Sequence, residues 1–263
     1  MNWYTPSKLN TEFISGFTFY KECDYNICPR YQSNFNLNNL DNKTVFLNLD
    51  YFEQFVNFLN LNQPTSKFNI LTHNSDRDFT ESMFRSIERF INRVYAINCT
   101  FSDNKVTKIP LGFNDQSTEV LDNQNFDFIE KNNLIYVNFK LHHHTDRPIC
   151  FNHFKQQDWS TIESEIIPID EFYNKLKTFK YCVSPRGTGI DTHRTYESLL
   201  FGVIPIVKRS ELDDLYQNLP MVLVDRWEDV THDFLVDNYE ENLSKYLDWK
   251  EKNKNWYLPK FWL

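Results

Sequence analysis

Tyr181-Cys-Val-Ser-Pro-Arg-Gly-Thr-Gly-Ile-Asp-Thr-His-Arg-Thr-Tyr-Glu-Ser-Leu-Leu-Phe-Gly-Val-Ile-Pro-Ile-Val207 is the stretch on which the fold turns. It reads as strand, tight loop, helix and strand, the unit from which parallel sheets are built. The chain has five glycines, and two of them, Gly187 and Gly189, fall in this loop. Their missing Cβ atoms predict positive φ and a close approach of ligand to backbone. Asp191 or Thr192 is predicted to cap the helix. A helix amino terminus offers unpaired N–H groups and a partial positive charge, a natural seat for phosphate. Arg186 and Arg194 flank that seat. Tyr196, Leu199, Leu200 and Val203 recur at helical spacing as a core stripe, with His193, Arg194 and Glu197 on the adjoining flank. An arginine and a carboxylate at the carboxyl edge of a parallel sheet suit a nucleotide, the guanidinium on the diphosphate and the carboxylate on ribose hydroxyls. The bland alternative is an exposed i,i+3 ion pair worth about 0.2–0.5 kcal/mol.

Outward from this stretch the same rhythm repeats. Thr44–Leu49 precedes a helical Tyr51–Leu59, Phe68–Thr72 precedes Phe79–Phe90, and Arg93–Asn98 precedes Val106–Leu111. In the second half Leu134–Phe139, Ile167–Thr178, Phe179–Ser184, Thr192–Gly202, Val203–Val207, Ser210–Leu219 and Met221–Val224 follow in order. Such alternation predicts an α/β protein with parallel sheets. The polar, Asn-rich stretch Asp115–Asn133 is the expected inter-domain linker. The expected domains are residues 1–125, residues 126–245, and a helical tail, 246–263, whose aromatic residues pack back on the first domain. From Asp225 to Glu241 an acid-rich run reads as a solvated helical face.

The 263 residues carry 28 Lys and Arg against 36 Asp and Glu, a net charge of −8, which argues against a surface made to neutralise nucleic acid. Aromatic residues at 17% argue against disorder. Five cysteines form no close-paired metal pattern, and their odd number does not suggest a disulfide framework. The start Met1-Asn2-Trp3-Tyr4-Thr5-Pro6 lacks a basic, apolar leader, and no stretch approaches the roughly 18 apolar residues of a membrane span. A reduced, cytoplasmic setting is the expectation, so the N-x-S/T triplets at Asn42, Asn98 and Asn242 carry no glycan. Thirty Asn and 24 Phe fit the codon bias of an AT-rich genome, that of a low-GC bacterium or of a virus acting in its host's cytoplasm.

Ser184–Val207 resembles the donor-site signature of the exostosin-like glycosyltransferases of the GT-B fold. That signature runs strand, Pro-Arg-Gly-x-Gly, a polar step, His-Arg, and an aromatic-Glu-x-Leu helix ending in Gly-x-x-Pro. Ile70-Leu-Thr-His-Asn-Ser-Asp76, Tyr95-Ala-Ile-Asn98 and Lys108-Ile-Pro-Leu-Gly112 are similar to segments of that family's first domain. Tyr136-Val-Asn-Phe139 with Arg147 is similar to the opening of its second, and Leu219-Pro-Met-Val-Leu-Val-Asp-Arg-Trp227 to its closing strand and turn. The likeness covers about residues 68 to 230 and has Tyr196 where many relatives have Trp. It implies two Rossmann-like domains whose parallel sheets face a central cleft, with a hinge in the linker. The implied reaction moves a sugar from a nucleoside diphosphate, uridine favoured over guanosine, to a glycan or polysaccharide hydroxyl, with inversion and no bound metal. The implied donor-binding residues are Arg147, Ser184, Arg186, Gly187, Thr188, Gly189, Asp191, His193, Arg194 and Glu197, with Arg194 and the loop on the diphosphate, Glu197 on the ribose and Arg147 on a phosphate. Charge on a leaving diphosphate must be met by a cation or by fixed donors, and these arginines, amides and the helix dipole are fixed donors.

Inversion needs a general base beside the acceptor. His73 and Asp76, just past Phe68–Thr72, are the candidates, with Asp76 preferred; the alternatives are a helix cap at Asp76 and a hydrogen-bonded loop histidine at His73. Asp76-Arg77-Asp78 also has the D-x-D form that holds Mn²⁺ or Mg²⁺ under a diphosphate in another fold. A binding module that keeps the nucleotide and lacks catalysis is a third reading. His142-His143-His144 reads as an exposed turn rather than a metal site, and Arg186-Gly-Thr-Gly lacks the Lys-Ser/Thr of a Walker loop.

Overall fold

A computed structural model describes residues 12–28, 40–165 and 167–263. The Met1–Pro6 start lies outside the described residues. The chain divides into two compact units, residues 1–118 with 255–263, and residues 119–254.

In the first unit β1 (Tyr25–Ile27), β2 (Thr44–Leu47), β3 (Phe68–Thr72), β4 (Ile91–Ala96) and β5 (Val106–Lys108) form one parallel sheet in chain order. One face of the sheet points Val45, Ile70 and Val94 at a core closed by Phe55 and Leu59 of one helix (Phe52–Asn62) and Phe84 and Ile87 of the next (Glu81–Ile87). A uniform order with right-handed crossovers puts these helices on the same face. The opposite face carries Phe46, against which Tyr20 and His73 pack. The terminal residues 255–263 belong here: Trp256 lies against Phe113, and the Tyr95 hydroxyl donates to the Leu263 carbonyl at 3.1 Å. The preceding helix, Tyr239–Lys252, belongs to the second unit, where the Tyr246 hydroxyl donates to the Leu199 carbonyl.

In the second unit β6 (Asn133–Val137), β7 (Ser160–Ile162), β8 (Phe179–Val183), β9 (Ile204–Lys208) and β10 (Val222–Val224) form another parallel sheet. Its spatial order is β7-β6-β8-β9-β10. The order reverses at β6, so the chain leaves β6 toward one edge and leaves β8 toward the other. With right-handed crossovers the connections then cover opposite faces and part at the carboxyl ends of β6 and β8, where ligands of open α/β sheets bind. One face packs Cys150 and Phe154 of a helix (Asp146–Lys155) with Trp227 and Leu235; the other packs Tyr136 against Phe172. Leu235 and Tyr239 are buried, so the acid-rich run after Asp225 is a core-facing segment with a solvated outer side, not a solvated face throughout.

The expected linker is firmly held at both ends. Asp115 is buried and accepts from the Phe17 amide at 2.9 Å within the first unit. Lys131 is buried in the second, its Nζ donating to the carbonyls of Lys177 and Phe201 at 2.7 and 2.8 Å. These are the C-cap residues of the helices Ile169–Leu176 and His193–Leu200, so one ammonium serves two helix ends. Burial, and secondarily Lys250 and Lys177, push Lys131 down to about 8. The unfolded chain therefore holds the proton between about pH 8 and 10.5 where the folded one releases it, and stability from this group rises with pH across that window. Urea unfolding of the wild type and Lys131→Met at pH 7 and 9.5 is expected to move their difference in the wild type's favour at the higher pH; an unchanged difference contradicts the assignment.

Candidate functional site

The quoted stretch folds as β8, a loop over 184–192, the helix α7 (His193–Leu200) and β9. Tyr196, Leu199, Leu200 and Val203 are all buried as the predicted stripe. Gly202 takes the left-handed φ of 69° that ends the helix, its N–H donating to the Leu199 carbonyl. Neither Gly187 nor Gly189 takes a left-handed φ, contrary to expectation. Gly187 serves close approach instead: a Cβ there would lie 3.1 Å from Arg147 Nη2.

The predicted caps also do different work. Thr192 is the N-cap but makes no side-chain capping bond, and its hydroxyl lies 2.7 Å from Ser184 Oγ, which is 2.9 Å from Thr195 Oγ1. Buried Asp191 accepts from the Thr192 amide and from the hydroxyls of Tyr216 and Tyr196. Burial, together with this carboxylate, pushes the Tyr216 phenol well up. The first turn of α7 contains no acid, so its amino terminus keeps its electropositive character.

Three arginines gather here in different states. Arg194 reaches back to the residue after β6, donating to the Asn138 carbonyl at 2.8 Å and its side-chain oxygen at 3.3 Å. It also pairs with Glu197 at 3.2 Å and lies over the Phe172 ring, 3.8 Å from the centroid. Glu197 is buried and accepts additionally from Tyr173. Arg147, in the first turn of the helix Asp146–Lys155, donates to the carbonyls of Arg186, Lys140 and Pro185. It therefore staples the 185–186 loop to the turn after β6, and burial with the neighbouring Arg194 lowers its pKa. Arg186 donates to none of the described residues, and its Nε is buried without an acceptor. Thr188 is exposed, while half-buried His193 is engaged within the protein.

Beside the loop a cavity of about 520 Å³ opens at the carboxyl ends of β8 and β9. Arg186 and His144 line it, over Ile190 and Val207, with Lys208 and Arg209 at the edge of β9. Lys208 pairs with Asp146 at 2.9 Å, and Asp146 also accepts from the Trp227 indole. The His144 Nδ1 accepts from the Asp146 amide, and burial with the Arg186 charge holds its pKa down. Asn138, Asp146 and Lys208 were not singled out in the sequence. Lys208 stands immediately after the quoted stretch, at the carboxyl edge of its last strand, and that position was the available signal.

In the first unit His73 and Asp76 sit past β3 as predicted. His73 is buried, with Nε2 3.1 Å from the Leu111 carbonyl and Nδ1 accepting from the Asn74 amide. Asp76 is exposed and pairs with none of the described residues. It caps no helix, since Thr80 is the cap of Glu81–Ile87. Asp78 is engaged within the protein, and Arg77 is bound to Glu53 and the Leu49 carbonyl. His142 and His143 form an exposed turn, and they join no group of metal-ligating side chains among the described residues. All five cysteines are free thiols, and no helix among the described residues is long and apolar enough to cross a membrane. No protein-family model matches the chain, and no curated protein matches its sequence significantly.

Proposed function

We propose that the chain is a GT-B glycosyltransferase of exostosin-like type, moving a sugar from a nucleoside diphosphate to a glycan hydroxyl with inversion. The observation that carries this reading is the reversal of strand order between β6 and β8, with Arg147, Arg186, Arg194 and the electropositive start of α7 gathered at that point. A leaving diphosphate develops negative charge, and donors fixed before reaction stabilise it without reorganising. Glu197 offsets the charge of Arg194, whereas Arg147 and Arg186 pair with no carboxylate among the described residues. Asp76 is the proposed base, since it is exposed and pairs with none of the described residues, whereas both ring nitrogens of His73 are occupied.

Uridine and guanosine diphosphate sugars incubated with the protein and candidate glycans are expected to release nucleoside diphosphate from one donor, with activity surviving EDTA. Tight nucleotide binding without turnover of any donor would favour the non-catalytic module. An absolute need for Mn²⁺, abolished by Asp76→Asn and Asp78→Asn and indifferent to Arg194→Ala, would move the donor to the first unit.

A further inference from the structure

A second pocket, of about 310 Å³, opens at the amino edge of the second sheet. Ile204 lines it and opens β9, whereas Lys208, on the wall of the larger cavity, ends β9, so the two lie at opposite ends of one strand. Buried Ile204 and Leu219 give it an apolar base, and Trp249 of the helix Tyr239–Lys252 adds an indole. Three side-chain amides complete the wall, each anchored through its NH₂ group. Gln217 Nε2 and Asn218 Nδ2 both donate to the Asp214 carbonyl, at 3.3 and 3.1 Å, in the short helix Asp213–Tyr216. Asn242 Nδ2 donates at 3.3 Å to the Tyr181 hydroxyl, whose own proton goes to the Leu235 carbonyl. A carbonyl, or a hydroxyl whose proton is spent, can only accept, so each partner fixes which end of the amide it holds. The side-chain oxygens of Gln217, Asn218 and Asn242 accept from none of the described residues.

We propose that this pocket holds a neutral pyranose unit of a glycan, its C–H face on Trp249 and its hydroxyls donating to the three amide oxygens. The wall selects for that class by charge. An anion would meet three carbonyl-type oxygens, and a cation would meet the ammonium of Lys245, which is itself paired with Glu241. A polyol supplies the missing donors, and its hydroxyl oxygens accept from Lys245 without competing for its charge. The electron-rich face of an indole attracts the weakly positive C–H bonds of a sugar ring. Because the amides are held before the ligand arrives, binding spends little on ordering them. That the glycan is the acceptor of the transfer rests on the glycosyltransferase reading. The sugar site does not.

NMR titration of the isotopically labelled full chain tests it, with cellotetraose, maltotetraose and chitotetraose as probes and spermidine and sulfate as charged controls. At least one oligosaccharide is expected to shift the Trp249 indole signal and the side-chain amides of Gln217, Asn218 and Asn242, and neither control is. Trp249→Ala is expected to lose at least about 10-fold in affinity for that oligosaccharide. Exposed Asn218 keeps the test independent of folding, and Asn218→Leu is expected to lose about 3- to 10-fold with unchanged thermal stability. No shift with any of the three oligosaccharides, shifts produced by spermidine or sulfate instead, or wild-type affinity in Asn218→Leu overturns the site. Oligosaccharide binding weakened by Asn218→Leu in a protein that turns over no sugar donor leaves the site standing and removes the glycosyltransferase reading. Donor turnover with these signals unmoved by every oligosaccharide does the reverse.

Discussion

Asp191→Ala is expected to cost about 3–5 kcal/mol of unfolding free energy, the largest loss of any single change in the loop. The carboxylate is the common acceptor for Tyr196, Tyr216 and the Thr192 amide. Both tyrosines are fully buried, so removing the acceptor leaves two hydroxyls and an amide with no water to replace it. Tyr216 belongs to the short helix after β9 and Tyr196 to α7, so the loss reaches two elements that frame the loop. Urea denaturation measures it. A loss under 1 kcal/mol would mean that the tyrosines find other acceptors and that Asp191 does not hold the loop. Had the carboxylate faced a ligand, as the sequence reading has it, the same change would alter binding and spare stability.

Arg194→Ala is expected to cost about 2–4 kcal/mol as well as donor affinity, because it strands Glu197, whose side chain is only 6% exposed. The sequence reading treats this pair as ligand-facing, with Arg194 on the diphosphate and Glu197 on the ribose. The structure ties it into the fold. Arg194 bridges α7 to Asn138 after β6, closing the place where the two connections part. Adding Glu197→Gln to Arg194→Ala removes the stranded charge, so the double variant is expected to regain about 1–2 kcal/mol over Arg194→Ala. Additive losses would show the pair to be a solvent-screened surface contact, contrary to its burial.

How far the sequence could be read depended on the range of the interactions. Hydrophobic alternation located β3 to the residue and β8, α7 and β9 nearly so, since each buries a face that its own residues encode. The strands β1 (Tyr-Asn-Ile) and β7 (Ser-Thr-Ile) carry one aliphatic residue each and so present no apolar run, and the helix from Asp146 hides behind Pro148 in its first turn. Arg147, Arg186 and Arg194 were legible as a cationic group, but not their division of labour. Two of them bind main-chain carbonyls supplied by segments 38 to 56 residues away, and a carbonyl carries no side-chain signature. The loop glycines were misread in conformation, because neither takes a left-handed φ and Gly187 instead makes room for the Arg147 side chain beside it.

The central claim is that phosphate is held at the carboxyl edge of β8 and β9 by Arg186. A crystal structure of the protein grown with uridine diphosphate tests it most directly. The account predicts phosphate oxygens within hydrogen-bond distance of Arg186 in the cavity bounded by His144 and Lys208. Diphosphate seated against Asp76 and Asp78, with that cavity filled by water alone, would contradict it.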